Sequence, residues 1–78
     1  MADAFRPTTE AERTDLNKRF DYHAPGKKTA LHEYFRAEFK DMAVAVVTGV
    51  PDGREKSLVL THLEEALFWA NAAIARNP

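Results

Sequence analysis

The chain contains no cysteine, which excludes a disulfide framework, a thiol nucleophile and thiolate metal ligation. It is also poor in glycine, with three in 78 residues, and has neither a glycine-rich phosphate loop nor a nucleophile elbow. Neither sign of charge prevails. Eleven basic and twelve acidic side chains leave a formal charge of -1, which argues against a basic surface tracking a DNA or RNA polymer but leaves room for a small anion. Long apolar runs are missing as well. The longest, MAVAVV at 42–47, is far short of the roughly 20 residues that span a bilayer, and MADAFRPTTEAER lacks the apolar centre of a secretory signal. The expected location is therefore cytoplasmic, with no membrane partner.

With 45% hydrophobic and 29% charged residues, the composition is that of a folded soluble domain. A single domain over 1–78 is expected. Without disulfide or metal, so small a core calls for partner subunits.

Pro7, Thr8 and Thr9 precede AERTDLNKR, where Glu10 and Glu12 suit the positive end of a short N-terminal helix or arm over 1–19. FDYHAP, 20–25, is aromatic and ends in proline, so an extended segment is expected there, followed by a turn at Gly26. From Lys27 the period becomes 3.6, with Leu31, Phe35, Phe39, Met42 and Val46 on one face of a helix ending near Thr48. Gly49 suits a left-handed cap, Pro51 stops the helix, and Asp52 with Glu55 has the spacing of a capping box for the next. In that last helix Leu60, Leu63, Leu67, Ala70 and Ile74 form a 3,4,3,4 seam. The predicted fold class is all-α, an antiparallel helical hairpin over 20–78.

Apolar residues exceed this seam: Leu58, Val59, Ala66, Phe68, Trp69 and Ala73 widen it beyond half the circumference. The N-terminal segment could cover the excess, but a large patch on so small a domain favours self-association.

A second row, Arg54, Ser57, Thr61, Glu64, Phe68 and Asn71, combines a guanidinium, two hydroxyls and a helix N-terminus, a set suited to phosphate. Against that, both hydroxyls can simply bond the preceding turn of backbone. Tyr22 and His23 can stack on a base or staple the arm to the hairpin, and Lys27, Lys28, Arg36 and Lys40 add positive charge along the second helix. His23, His32 and His62 raise metal binding only weakly, since His62 with Glu65 has no matching pair. No paired carboxylates suggest hydrolysis. The chain is read as a non-enzyme without metal or cofactor.

FDYHAP before a helix, the PDGREKS turn and the run REKSLVLTHLEEALFWANAAIAR together resemble the small phage helical-hairpin proteins that sequester cyclic nucleotide signals, shared by anti-CBASS proteins and a domain of anti-Thoeris proteins. The resemblance covers about Phe20 to Asn77. It implies a sponge in the infected bacterial host, a homo-oligomer, often a hexamer built from dimers, that binds cyclic di- or trinucleotides without cleaving them. It further implies Tyr22 as a base-stacking residue, Arg54, Ser57 and Thr61 as donors, and Arg36 and Arg76 as further basic contacts; His23 joins these ligand-binding candidates on its own chemistry, as a flat, polar-tipped side chain next to Tyr22. The alternative is a homo-oligomeric protein-interaction module that presents Phe68 and Trp69 and has no nucleotide ligand.

Overall fold

The computed structural model describes residues 5–21 and 28–77, and they are helical throughout their regular structure: α1, Glu10–Phe20; α2, Thr29–Gly49; α3, Arg54–Arg76. Among the described residues there is no strand, and no helix is long and apolar enough to cross a membrane.

Helix α1 begins where Thr9 caps it. The Thr9 hydroxyl accepts from the Glu12 amide at 3.1 Å and the Glu12 carboxylate accepts from the Thr9 amide at 2.9 Å, so two otherwise orphaned donors are satisfied reciprocally. Only Leu16 and Phe20, one turn apart, are buried on this helix. Phe20 was expected to open an extended segment. It instead closes α1, because continuing the helix by one residue carries its ring, 0% exposed, into the hairpin core beside Leu16. The rest of that segment, Tyr22 to Pro25, lies outside the described residues.

Helices α2 and α3 form the expected hairpin, and its register is set by polar contacts at both ends. Near the turn Lys56 Nζ donates to the Val47 carbonyl at 2.7 Å, and further along His32 Nδ1 lies 2.8 Å from Asn71 Oδ1. His32 and Asn71 are both buried, so each satisfies a group that would be costly to leave alone. His32 is thus a packed core residue. His62 sits 3.9 Å from Glu65 on the exposed face, and among the described residues no cluster of three or more His, Asp or Glu side chains is arranged for a metal.

The buried stripe of α2 is His32, Ala43, Val46 and Val47, with Phe35, Phe39 and Val44 packed against it. Leu31 and Met42, expected in this face, are 47% and 55% exposed. The stripe is rotated because α2 serves two neighbours: α1 lies along the Lys40 and Val44 side, where Lys40 reaches Asp21 at 2.7 Å. On α3 the buried positions are Lys56, Leu60, Leu67 and Asn71, with Leu63 alongside and Ala70 and Ile74 only half-buried. The predicted leucines are in place. Each end of the seam is polar, which the apolar pattern did not foresee.

Two expectations about the turn are corrected. Gly49 is not a left-handed cap: it is the last residue of α2, and its missing side chain lets the Phe5 ring approach, since a Cβ there would stand 2.6 Å from Phe5 Cε1. The left-handed position among the described residues is Gly53, with φ 150°. Nor does Asp52 cap α3. Gly53 is the N-cap and has no side chain to offer, while Asp52 accepts from Lys56 Nζ at 2.8 Å.

Residues 5–9 strap this end of the hairpin. The Arg6 amide donates to the Thr48 carbonyl at 3.0 Å, and its guanidinium donates to the Val47 carbonyl at 3.1 Å and to both Glu12 oxygens at 2.8 and 2.6 Å. These bonds from Arg6, followed by that from the Thr9 amide, lower the Glu12 pKa from 4.5 to about 2. Because the folded value is depressed, the stabilisation is present above the unfolded pKa and is lost as pH falls from about 4.5 towards 2. Asp52, lowered by Lys56, acts with the same sign. Melting temperature should therefore drop through this window in the wild type and drop less steeply in Glu12→Gln. Equal slopes in a calorimetric pH series would refute the role given to Glu12.

Candidate functional site

Arg54, Ser57 and Thr61 follow one another at helical spacing from the first residue of α3, and all three are exposed. At about 1.5 Å per residue they span roughly 10 Å, comparable with the reach of a small phosphorylated ligand. Phe68, 52% exposed, continues the row two turns later. The remaining members do other work. Glu64 accepts from Arg19 Nε of α1 at 3.0 Å, and Asn71 is buried against His32.

The Ser57 hydroxyl donates to the Gly53 carbonyl at 3.3 Å, the local backbone bond that a serine in a helix makes when nothing else claims it. Its other neighbours are unfriendly to an anion. Ser57 lines a cavity of about 250 Å³ with Glu12, Asp15, Asp52 and Lys56, in which carboxylates outnumber the one ammonium. Arg54 and Thr61 are not among the residues lining it. That cavity is therefore ill suited to a phosphate, and Arg54 and Thr61 are exposed on α3 outside its lining.

Arg76 closes α3 at its far end, about 33 Å along the helix from Arg54 by the same rise. Arg36 stands midway along α2, half-buried and already engaged with a neighbouring group. Of the lysines, Lys40 is paired with Asp21, and Lys28 donates to the Asn77 carbonyl at 2.7 Å. Tyr22 and His23 lie outside the described residues. One subunit therefore brings Arg54, Ser57 and Thr61 together, and keeps Arg36 and Arg76 apart from them.

The polar residue that the sequence reading passed over is Lys56. It has an i,i+4 signal in Asp52 and falls in step with Leu60, Leu67 and Asn71, yet lysine is so commonly solvated that the pattern reads as surface. Its ammonium is placed inward by the Val47 carbonyl, where it supports the start of α3 immediately behind Arg54 and Ser57.

The family model described as Acb2/Tad1, hairpin domain, matches residues 12–75, from the first turn of α1 through nearly all of α3. No curated protein and no solved structure matches the chain.

Proposed function

Because the chain belongs to the Acb2/Tad1 hairpin-domain family, we propose that it is a sponge for cyclic di- or trinucleotide messengers, holding them intact and away from CBASS-type immune effectors in the cytoplasm of a phage-infected bacterium. That family is known for anti-defence sequestration of cyclic oligonucleotides. The observation that carries the reading is the match over 12–75; the outward row of Arg54, Thr61 and Phe68 supports it.

An open row on a convex helix cannot enclose a ligand. The working unit is accordingly a homo-oligomer, a hexamer built from dimers, in which Tyr22 stacks on a base with His23 beside it and Arg36 or Arg76 of other subunits completes the pocket around Arg54, Ser57 and Thr61. Sequestration needs affinity and no acid, base or metal. Charged hydrogen bonds at about 1.5–3 kcal/mol each and stacking at about 1–3 kcal/mol per base reach the roughly 12 kcal/mol of nanomolar binding.

Isothermal titration with a panel of cyclic di- and trinucleotides is expected to give nanomolar binding for at least one, with intact nucleotide recovered after denaturation. Arg54→Ala with Thr61→Ala should weaken it about a hundredfold, by loss of two or so such contacts. A silent panel would sink the proposal, and product accumulating with time would replace it with an enzyme. The second reading, an interaction module, draws on Trp69 and Phe68, 64% and 52% exposed. In that case Trp69→Ala abolishes function while the Arg54 and Thr61 substitutions leave it intact.

A further inference from the structure

Glu64 is out of character with the row it belongs to. At about 100° per residue, Arg54, Ser57, Thr61, Glu64 and Phe68 fall within about 60° of one another around α3, so a carboxylate stands one turn beyond Thr61 on a face otherwise furnished for anions. It is fixed there from the neighbouring helix. Arg19 Nε of α1 donates to Glu64 Oε1 at 3.0 Å, and the same guanidinium turns a second nitrogen to Asp15 at 3.4 Å, so its charge is divided between two acids. Among the described residues nothing donates to Glu64 Oε2, and the side chain keeps 29% of its surface in solvent. The ion pair therefore orients the carboxylate without using it up.

A carboxylate repels a phosphate and accepts from a donor. Taking the sponge reading as its premise, we infer that Glu64 is the group that reads a base, accepting from the adjacent N1–H and N2–H of a guanine, with Arg19 as the residue that positions it. The edges of the bases decide the choice. Guanine presents two neighbouring donors, which match the two oxygens of one carboxylate, and Oε1 has a second lone pair beyond the one given to Arg19. Adenine and cytosine each place a bare ring nitrogen beside their amino group, where its lone pair would face a carboxylate oxygen, and uracil sets its one N–H between two carbonyls. Only guanine satisfies both oxygens.

The surroundings suit one nucleotide. Thr61 and Glu64 are about 4.5 Å apart along the helix, so the phosphate and the base edge of a single nucleotide can meet the hydroxyl and the carboxylate together. Phe68, one turn beyond Glu64 and 52% exposed, offers its ring face to the same base. The row thus runs from phosphate donors to a base acceptor to a stacking surface.

The test is isothermal titration of the full chain with cyclic diguanylate and cyclic diadenylate. The wild type is expected to bind the diguanylate about tenfold to a hundredfold more tightly, the discrimination usual for one bidentate base contact. Glu64→Gln keeps the length and leaves an oxygen for Arg19, but it exchanges one acceptor for an NH₂ donor, the pairing that suits adenine. Its affinity ratio should move at least tenfold towards the diadenylate, with unchanged far-ultraviolet circular dichroism. Arg19→Gln, which retains the carboxylate but frees it, should weaken the diguanylate about twofold to tenfold and leave the diadenylate unchanged. A wild type without preference for guanine overturns the inference. So does a Glu64→Gln variant that loses affinity for both ligands equally, as a contact to a ribose hydroxyl or a merely structural tie between α1 and α3 would require. Either result leaves the sponge standing, whereas a silent panel of cyclic di- and trinucleotides removes the sponge and this reading with it.

Discussion

Replacing Phe20 with alanine is expected to cost about 3–5 kcal/mol and to leave the chain largely unfolded near physiological temperature. The side chain is 0% exposed, and it and Leu67 are the two largest that are fully buried among the described residues. The buried core there is small: Leu16, Phe20, Ala43, Val46, Val47, Leu60 and Leu67. A chain of this length has a total stability of about 4–12 kcal/mol, so losing one aromatic side chain removes a large part of it. The effect would also separate two views of the N-terminal residues. Were they an appended arm, truncating Phe20 would change urea-unfolding stability by less than about 1 kcal/mol, as surface changes do. With α1 forming the third wall of the core, the midpoint falls sharply and Leu16→Ala falls with it. A small change in both variants would show that the hairpin stands alone.

The hairpin was legible because two strong signals agree. A 3.6-residue period runs through both long helices, and Pro51 forbids their fusion, so Leu60 and Leu67 fall in the seam as expected. Leu31 and Met42 were misplaced for a reason that periodicity cannot reveal: the apolar arc of α2 is wider than its partner, and which edge is covered depends on where α1 lies. Gly49 shows the same limit. Its backbone freedom suggested a cap, while its actual use, clearance for the Phe5 ring, depends on a residue distant in sequence. The candidate site was readable as a row on one helix, since Arg54, Ser57 and Thr61 need only helical geometry to align. Arg76 came from resemblance alone and Arg36 from resemblance together with the positive charge along α2, and their separation from that row within one subunit leaves any joint role to contacts between copies.

Lys56 offers the second large effect, because its ammonium is held almost out of solvent by two acceptors. The side chain is 9% exposed, with the Val47 carbonyl at 2.7 Å and Asp52 Oδ1 at 2.8 Å. Lys56→Glu would set a carboxylate against that carbonyl and beside Asp52, Glu12 and Asp15, with no desolvated cation left to balance it. A polar group enclosed without a partner costs about 1–3 kcal/mol and an ionised one more, so a carboxylate turned against that carbonyl should cost several kcal/mol. Lys56→Met is the informative companion. Its stem fills similar space, and the Val47 carbonyl keeps its bond from the Arg6 guanidinium at 3.1 Å, so the loss should be about 1 kcal/mol. Asp52 is mostly exposed and can return to water. Urea unfolding of the two variants therefore tests whether the ammonium is enclosed or merely passes through to solvent. If Lys56→Glu were no worse than Lys56→Met, the charge would be solvated, and the start of α3 behind Arg54 and Ser57 would lack the anchor described here. The expected gap of several kcal/mol would instead tie that end of α3 to the end of α2, and through Arg6 to the strap that precedes α1.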